Sequence, residues 1–128
     1  MSKIQRFYDF DPIFNQLELF LTYKNRNAWI YDNQDNPVLS IYVRRAHHRA
    51  NGGMYEFLDL ASISIDESRQ GEGIFTNFLK KLIDKYPTTN IYVESILNPA
   101  VRHICQKFGF QDVDSDNMFL IQSSIKTK

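Results

Sequence analysis

The sequence predicts a layered α/β (α+β) fold in which helices pack against a mixed sheet, and three observations lead there. Apolar residues recur at helical spacing over Ile74 to Tyr86. Strand-type runs rich in β-branched and aromatic residues stand on both sides of that helix. The order of elements is strand, helix, three strands, helix, strand, helix and two strands, which suits helices laid on one sheet. The 128 residues, 43% of them hydrophobic, with 10 Phe, 7 Tyr and 1 Trp, are enough for one core, so residues 1–128 are expected to form a single domain.

Taken in order, Ile4 to Phe7 reads as a short strand. Asp11 followed by Pro12 has the chemistry of a helix start, after which Ile13, Leu17, Phe20 and Leu21 recur on one face. Ala28 to Tyr31 and Val38 to Arg45 read as strands of a hairpin, separated by the turn formers 32–37. Residues 44–53, polar and basic, are expected to be an exposed loop ending in Gly52 and Gly53. Tyr55 to Ile65 is a long strand. The helix from Ile74 to Tyr86 buries Ile74, Phe75, Phe78, Leu79, Leu82, Ile83 and Tyr86, and Pro87 ends it. Ile91 to Ser95 is a short strand. Asn98 and Pro99 open a third helix with Val101, Ile104, Cys105 and Phe108 inward, closed by Gly109. Phe110 to Val113 and Met118 to Ile125 complete the set.

Composition narrows the function. With 15 basic and 15 acidic residues the net charge is zero, so binding to nucleic acid through a general basic surface is disfavoured. Cys105 is the single cysteine, which excludes an intrachain disulfide and a four-cysteine zinc site and suits a reducing compartment. No run of about 18 apolar residues offers a membrane span. A cytoplasmic protein with no membrane association is expected.

Between the strand ending at Ile65 and the helix starting at Ile74, two glycines stand at alternate positions in Gln70-Gly71-Glu72-Gly73. A strand-to-helix turn of this kind leaves backbone N–H groups converging at the positive end of a helix, which is an anion site. The spacing meets neither the Walker A pattern nor the dinucleotide fingerprint. Gln70-Gly71-Glu72-Gly73-Ile74-Phe75 instead resembles the pyrophosphate-binding motif of the GNAT superfamily of acyl-CoA-dependent N-acyltransferases, [Gln/Arg]-x-x-Gly-x-[Gly/Ala], with Phe75 where the family prefers a small residue. Asn98 to Phe110 resembles the family's Asn-led helix ending in Gly-Phe, at the family's spacing.

That resemblance, which spans roughly residues 55 to 113, implies a mostly antiparallel central sheet and acetyl-CoA as cosubstrate. It implies that Gln70, Gly71, Glu72, Gly73, Ile74, Phe75 and Thr76 hold the CoA pyrophosphate, that Ile63 or Ile65 offers a backbone N–H to the thioester carbonyl, and that Asn98 contacts CoA. Asn98 also reads as a plain N-cap.

Acyl transfer to an amine needs a group that takes a proton from the ammonium and donors for the tetrahedral oxygen. The resemblance places Asp59 where some histone-acetylating members carry a catalytic Glu. Its apolar neighbours would raise its pKa, although a strand carboxylate held by local hydrogen bonds is an equal reading. Glu94 competes for the role or faces solvent. Cys105 stands where many members place a thiolate-protonating tyrosine, and otherwise reads as a small buried hydrophobe.

His47 and His48, with Arg44, Arg45 and Arg49, read as a solvated charge run. They lack carboxylate or cysteine neighbours in sequence, so no metal site is expected. His103 is given no role. The resulting expectation is an N-acetyltransferase that moves an acetyl group from acetyl-CoA directly to a primary amine, as a monomer or homodimer. The alternative is a catalytically silent module of the same fold that binds CoA or a partner protein.

Overall fold

A computed structural model describes residues 7–96 and 98–123. Helix α1 (Asp11–Thr22) begins with Pro12 in its first turn, where a missing N–H costs nothing. It is followed by β1 (Asn27–Tyr31), β2 (Leu39–Ala50), β3 (Gly53–Ile65), a single 3-10 turn (Glu67–Arg69) and α2 (Ile74–Lys85). Then come β4 (Ile91–Val93), α3 (Pro99–Lys107), β5 (Gln111–Asp112) and β6 (Met118–Leu120). Of the predicted first strand, residues 4–6 lie outside the described residues, and Phe7 is exposed and in no strand. Of the predicted last strand, residues 124 and 125 also lie outside them.

The six strands form one sheet in the order β1-β2-β3-β4-β6-β5. Every neighbouring pair is antiparallel except β3 and β4, which run parallel. A parallel pair needs a crossover, and α2 supplies it.

Residues 44–53 are not a loop. β2 and β3 pair continuously from Ala50↔Gly53 back to Leu39↔Ile65, so the basic run belongs to the strand. The physical reason is the Asn51-Gly52 dipeptide, with φ of 47° and 78°, which makes the two-residue turn that a right-twisted hairpin requires.

Alternation along the strands gives the sheet two unlike faces. One carries Ile30, Leu39, Ile41, Val43, Leu58, Leu60, Ile91, Val93 and Met118 into the main core with Ile13, Phe14, Leu17 and Phe20 of α1, Phe78, Leu79 and Leu82 of α2, and Cys105 of α3. The other holds a smaller cluster of Ala50, Tyr55, Phe57, Tyr92 and Phe119, to which no helix among the described residues contributes. Among the described residues, helices thus pad one side of the sheet. A shift of register between Tyr42 and Val43 leaves Ala61 as an extra residue on β3, a bulge that adds to the coiling.

The third helix ends as its sequence requires. Gly109 at φ 89° lets its own N–H reach the Gln106 carbonyl and the Phe110 N–H reach that of Cys105.

Phe78 joins α2 to α1 through a stacked contact with Phe14, ring centres 5.6 Å apart, and is 1% exposed. Phe78→Ala is expected to lower the unfolding free energy by about 3–5 kcal/mol, measured by urea denaturation.

Candidate functional site

The site is built where β3 and β4 part. Their parallel ladder runs from Leu58↔Ile91 to Leu60↔Val93, and its last bond is from the Glu94 N–H to the Leu60 carbonyl at 3.1 Å. β4 then turns away through Ser95, held at φ 57° with its N–H on Asn117 Oδ1. β3 continues to Ile65, paired there with β2. Because the Asp66 N–H bonds the Val38 carbonyl on the β2 side, alternation turns Ile65 and Ile63 toward the edge that β4 has vacated. The Ile65 carbonyl is taken by Gln70 Nε2 at 3.0 Å. The N–H groups of Ile63 and Ile65 thus look onto an open cleft edge.

At the end of the same strand, Asp66 caps the 3-10 turn by accepting from the Ser68 N–H at 3.1 Å. Gly71 and Gly73 follow at φ 84° and 78°, a backbone that L side chains rarely adopt. Gly73 is the N-cap of α2 and has no side chain to place on the first-turn amides. Phe75 and Ile74 point into the core, so a bulky side chain at position 75 leaves the backbone of the turn accessible. Glu72 is buried, with its carboxylate on Arg69 Nε at 2.7 Å, so its charge is matched by a guanidinium.

On the face without helices, Asp59 is fully buried where the strands part. Both of its oxygens lie within hydrogen-bond reach of His48 Nε2, at 3.0 and 2.9 Å. Arg44 lies 3.5 Å from Oδ2 and donates to Glu94 through the same nitrogen. The His48 ring stacks on Tyr92, centres 3.8 Å apart and planes 10° from parallel, and meets Phe57 edge-on. His48 pairs across the hairpin with Tyr55, and Asp59 with Arg44. The imidazole therefore reaches diagonally across the hairpin to Asp59. Burial pushes the Asp59 carboxyl up from 3.8 to about 6, against the opposing pull of the His48 hydrogen bond. Burial also raises the Tyr92 phenol.

His48 and Arg44 are the residues sequence reading missed. The expectation that the histidines lack carboxylate neighbours fails, because the hairpin register carries His48 to Asp59. The Asn51-Gly52 signal could have found this, since with 44–50 read as strand, Arg44 and His48 fall on the face of Tyr42. Atoms of His48, Asp59 and Glu94 lie within 4.8 Å of one another, a spacing a cation could use. The Arg44 guanidinium contacts both carboxylates, so the chain itself brings positive charge to that place.

Two predicted residues stand apart from this cluster. Cys105 is fully buried in the main core, its thiol pushed up by burial to about 11, which is the behaviour of a packed hydrophobe. Its burial favours that reading over proton donation to a leaving thiolate. Asn98 caps α3, accepting from the Ala100 N–H at 2.9 Å. A cleft of about 360 Å³, lined by Arg45, His47, Glu56 and Asn90 among others, lies toward the start of the β3–β4 pair, away from the glycine turn.

No family model matches the sequence, and no curated protein matches it. Among solved structures, the toxin AtaT complexed with acetyl-methionyl-tRNAfMet aligns with a TM-score of 0.58 at 14% identity, over 84% of this chain and 82% of that one. A point mutant of the AtaT toxin aligns at 0.51 with 16% identity, over 84% and 77%. The same mutant bound to the C-terminus of the antitoxin AtaR and acetyl-CoA aligns at 0.50 with 17% identity, over 95% and 87%. These neighbours have the GNAT fold. This chain has the GNAT fold. No helix among the described residues is long and apolar enough to cross a membrane.

The raised Asp59 pKa has a consequence for stability. Between pH 3.8 and about 6 the folded chain holds a proton at Asp59 that the unfolded chain has released. The stability due to that proton is fully present below 3.8 and is lost as pH rises through about 6. Asp59→Asn lacks this loss. Thermal melts of both proteins from acid to neutral pH are expected to show the difference moving in favour of Asp59→Asn across that window and levelling off above it. His48, Arg44 and Glu94 are the other titratable or charged groups facing Asp59.

Proposed function

We propose that the chain is an acyl-CoA-dependent N-acyltransferase that moves an acetyl group from acetyl-CoA to a primary amine by direct transfer. One observation supports this reading: a single strand, β3, carries three features suited to such a reaction. Its end leads into a glycine turn with uncapped helix amides, suited to a pyrophosphate. Its open edge presents the N–H groups of Ile63 and Ile65, suited to the thioester carbonyl and the oxyanion that forms from it. Where its pairing with β4 stops stand Asp59, Glu94 and His48, suited to removing a proton from an ammonium.

In this reading Gln70, Gly71, Glu72, Gly73, Ile74, Phe75 and Thr76 form the pyrophosphate cradle through their backbone. Gln70 and Glu72 hold its shape, by their contacts to Ile65 and Arg69. Asn98 fixes the start of α3 beside the cofactor. The neighbour bound to acetyl-CoA supports the choice of cosubstrate. The neighbour complexed with acetyl-methionyl-tRNAfMet carries an acetylated aminoacyl group, so the α-amine of an aminoacyl compound is the first acceptor class to test.

A second reading, a silent module that binds CoA or a partner without turnover, is favoured by one observation. Cys105, at the place of the family's tyrosine, is sealed in the core and offers no proton to a leaving thiolate.

Acetyl-CoA is expected to raise the melting temperature. At about 100 times its Kd it should add about 2.7 kcal/mol, a shift of several degrees. Gly73→Val forces a branched side chain to φ 78°, and is expected to cost about 1–2 kcal/mol in the free protein and to remove the acetyl-CoA shift. No shift with the unaltered chain sinks both CoA readings. Thiol release from acetyl-CoA that requires glycinamide separates the enzyme from the silent module.

A further inference from the structure

Asp59, one of the carboxylates that the family resemblance offers for the chemistry, is fully buried and has no exposed surface to meet an acceptor. The group that joins it to the outside is His48, whose side chain is 24% exposed. Resting on the transferase reading, we infer that His48 Nδ1 is the atom that takes the proton from the acceptor amine, and that Asp59 is the positioning residue that makes this nitrogen the basic one.

The geometry has the logic of a base and its orienting group. His48 Nε2 faces both Asp59 oxygens at hydrogen-bond distance, and an ionised carboxylate only accepts, so Nε2 carries the hydrogen. The lone pair of the neutral ring is then on Nδ1, for which no partner is found among the described residues. Tyr92 on the ring face and Phe57 at its edge hold the imidazole plane. Glu94 is the other carboxylate at the parting of the strands, and Arg44 engages it.

The proton balance closes. The acceptor ammonium has two hydrogens more than the nitrogen of the product amide. One passes to His48 Nδ1, freeing the amine lone pair to form the N–C bond at the thioester carbonyl, and goes on to solvent. The other leaves nitrogen as the C–S bond breaks, and the departing thiolate ends as the CoA thiol.

The test uses the whole chain with acetyl-CoA and glycinamide, whose amine has a pKa of about 8. His48→Ala is expected to lower amine-dependent thiol release about a hundredfold. It should keep the melting shift produced by acetyl-CoA, and added imidazole should restore part of the rate. Asp59→Asn should also slow release, without rescue by imidazole. Long-range proton–nitrogen NMR of the unaltered chain at neutral pH should find the hydrogen of His48 on Nε2. An Nδ1–H tautomer, or a His48→Ala variant within twofold of the parent rate, overturns the assignment while leaving the transferase reading in place. A loss of rate that imidazole does not restore overturns it too. A parent chain that binds acetyl-CoA and releases no thiol overturns both.

Discussion

The parting of β3 from β4 after Leu60 and Val93 is the constraint on which the rest of the structure depends. A parallel pair that stayed closed would satisfy its own backbone groups and leave no polar edge for a ligand. Here β4 turns away at Ser95, whose N–H is held by Asn117, and β3 continues, paired on its far side with β2. Two rows of bonds thus hold apart what a third row would draw together. The bulge at Ala61 lies at the same level, one residue beyond the last β3–β4 pair. It changes which side chains face the helices, so that Leu58 and Leu60 before it, and Ile63 and Ile65 after it, all meet the main core.

Electrostatics at this point are governed by burial. A carboxylate without water is costly, and Asp59 is offset by one imidazole and one guanidinium, neither of them fully inside. Desolvation outweighs both partners, since the carboxyl is raised rather than lowered. The Arg69–Glu72 pair under the glycine turn, also away from water, settles differently: charge meets charge at 2.7 Å on neighbouring turns of the same segment. One pair keeps a loop in shape, whereas in the other burial raises the carboxyl above its ordinary range.

Much of the fold was legible because it rests on local signals. The stripe from Ile74, the Asn98-Pro99 start and the Gly109 stop each name a helix boundary by the chemistry of its end groups. The glycine turn was legible for the same reason, since only a few residue types tolerate the φ values of Gly71 and Gly73. The long hairpin was misread because five basic residues looked like a solvated loop. A two-residue turn at Asn51-Gly52 outweighs that polarity, since strand pairing needs backbone partners and not apolar side chains. The site suffered with it: His48 belongs to Asp59 only once the strand register and the resulting contact are known.

By itself the sequence determined the order of the helices, the glycine turn that can receive an anion, and the aspartate in an apolar strand, all of which depend on contacts between near neighbours in the chain. Tertiary structure alone decided that β3 and β4 separate and that the imidazole of His48 lies against Asp59. These depend on register, twist and burial. A shift of one residue in pairing turns every side chain to the opposite face, so no local pattern can stand in for them.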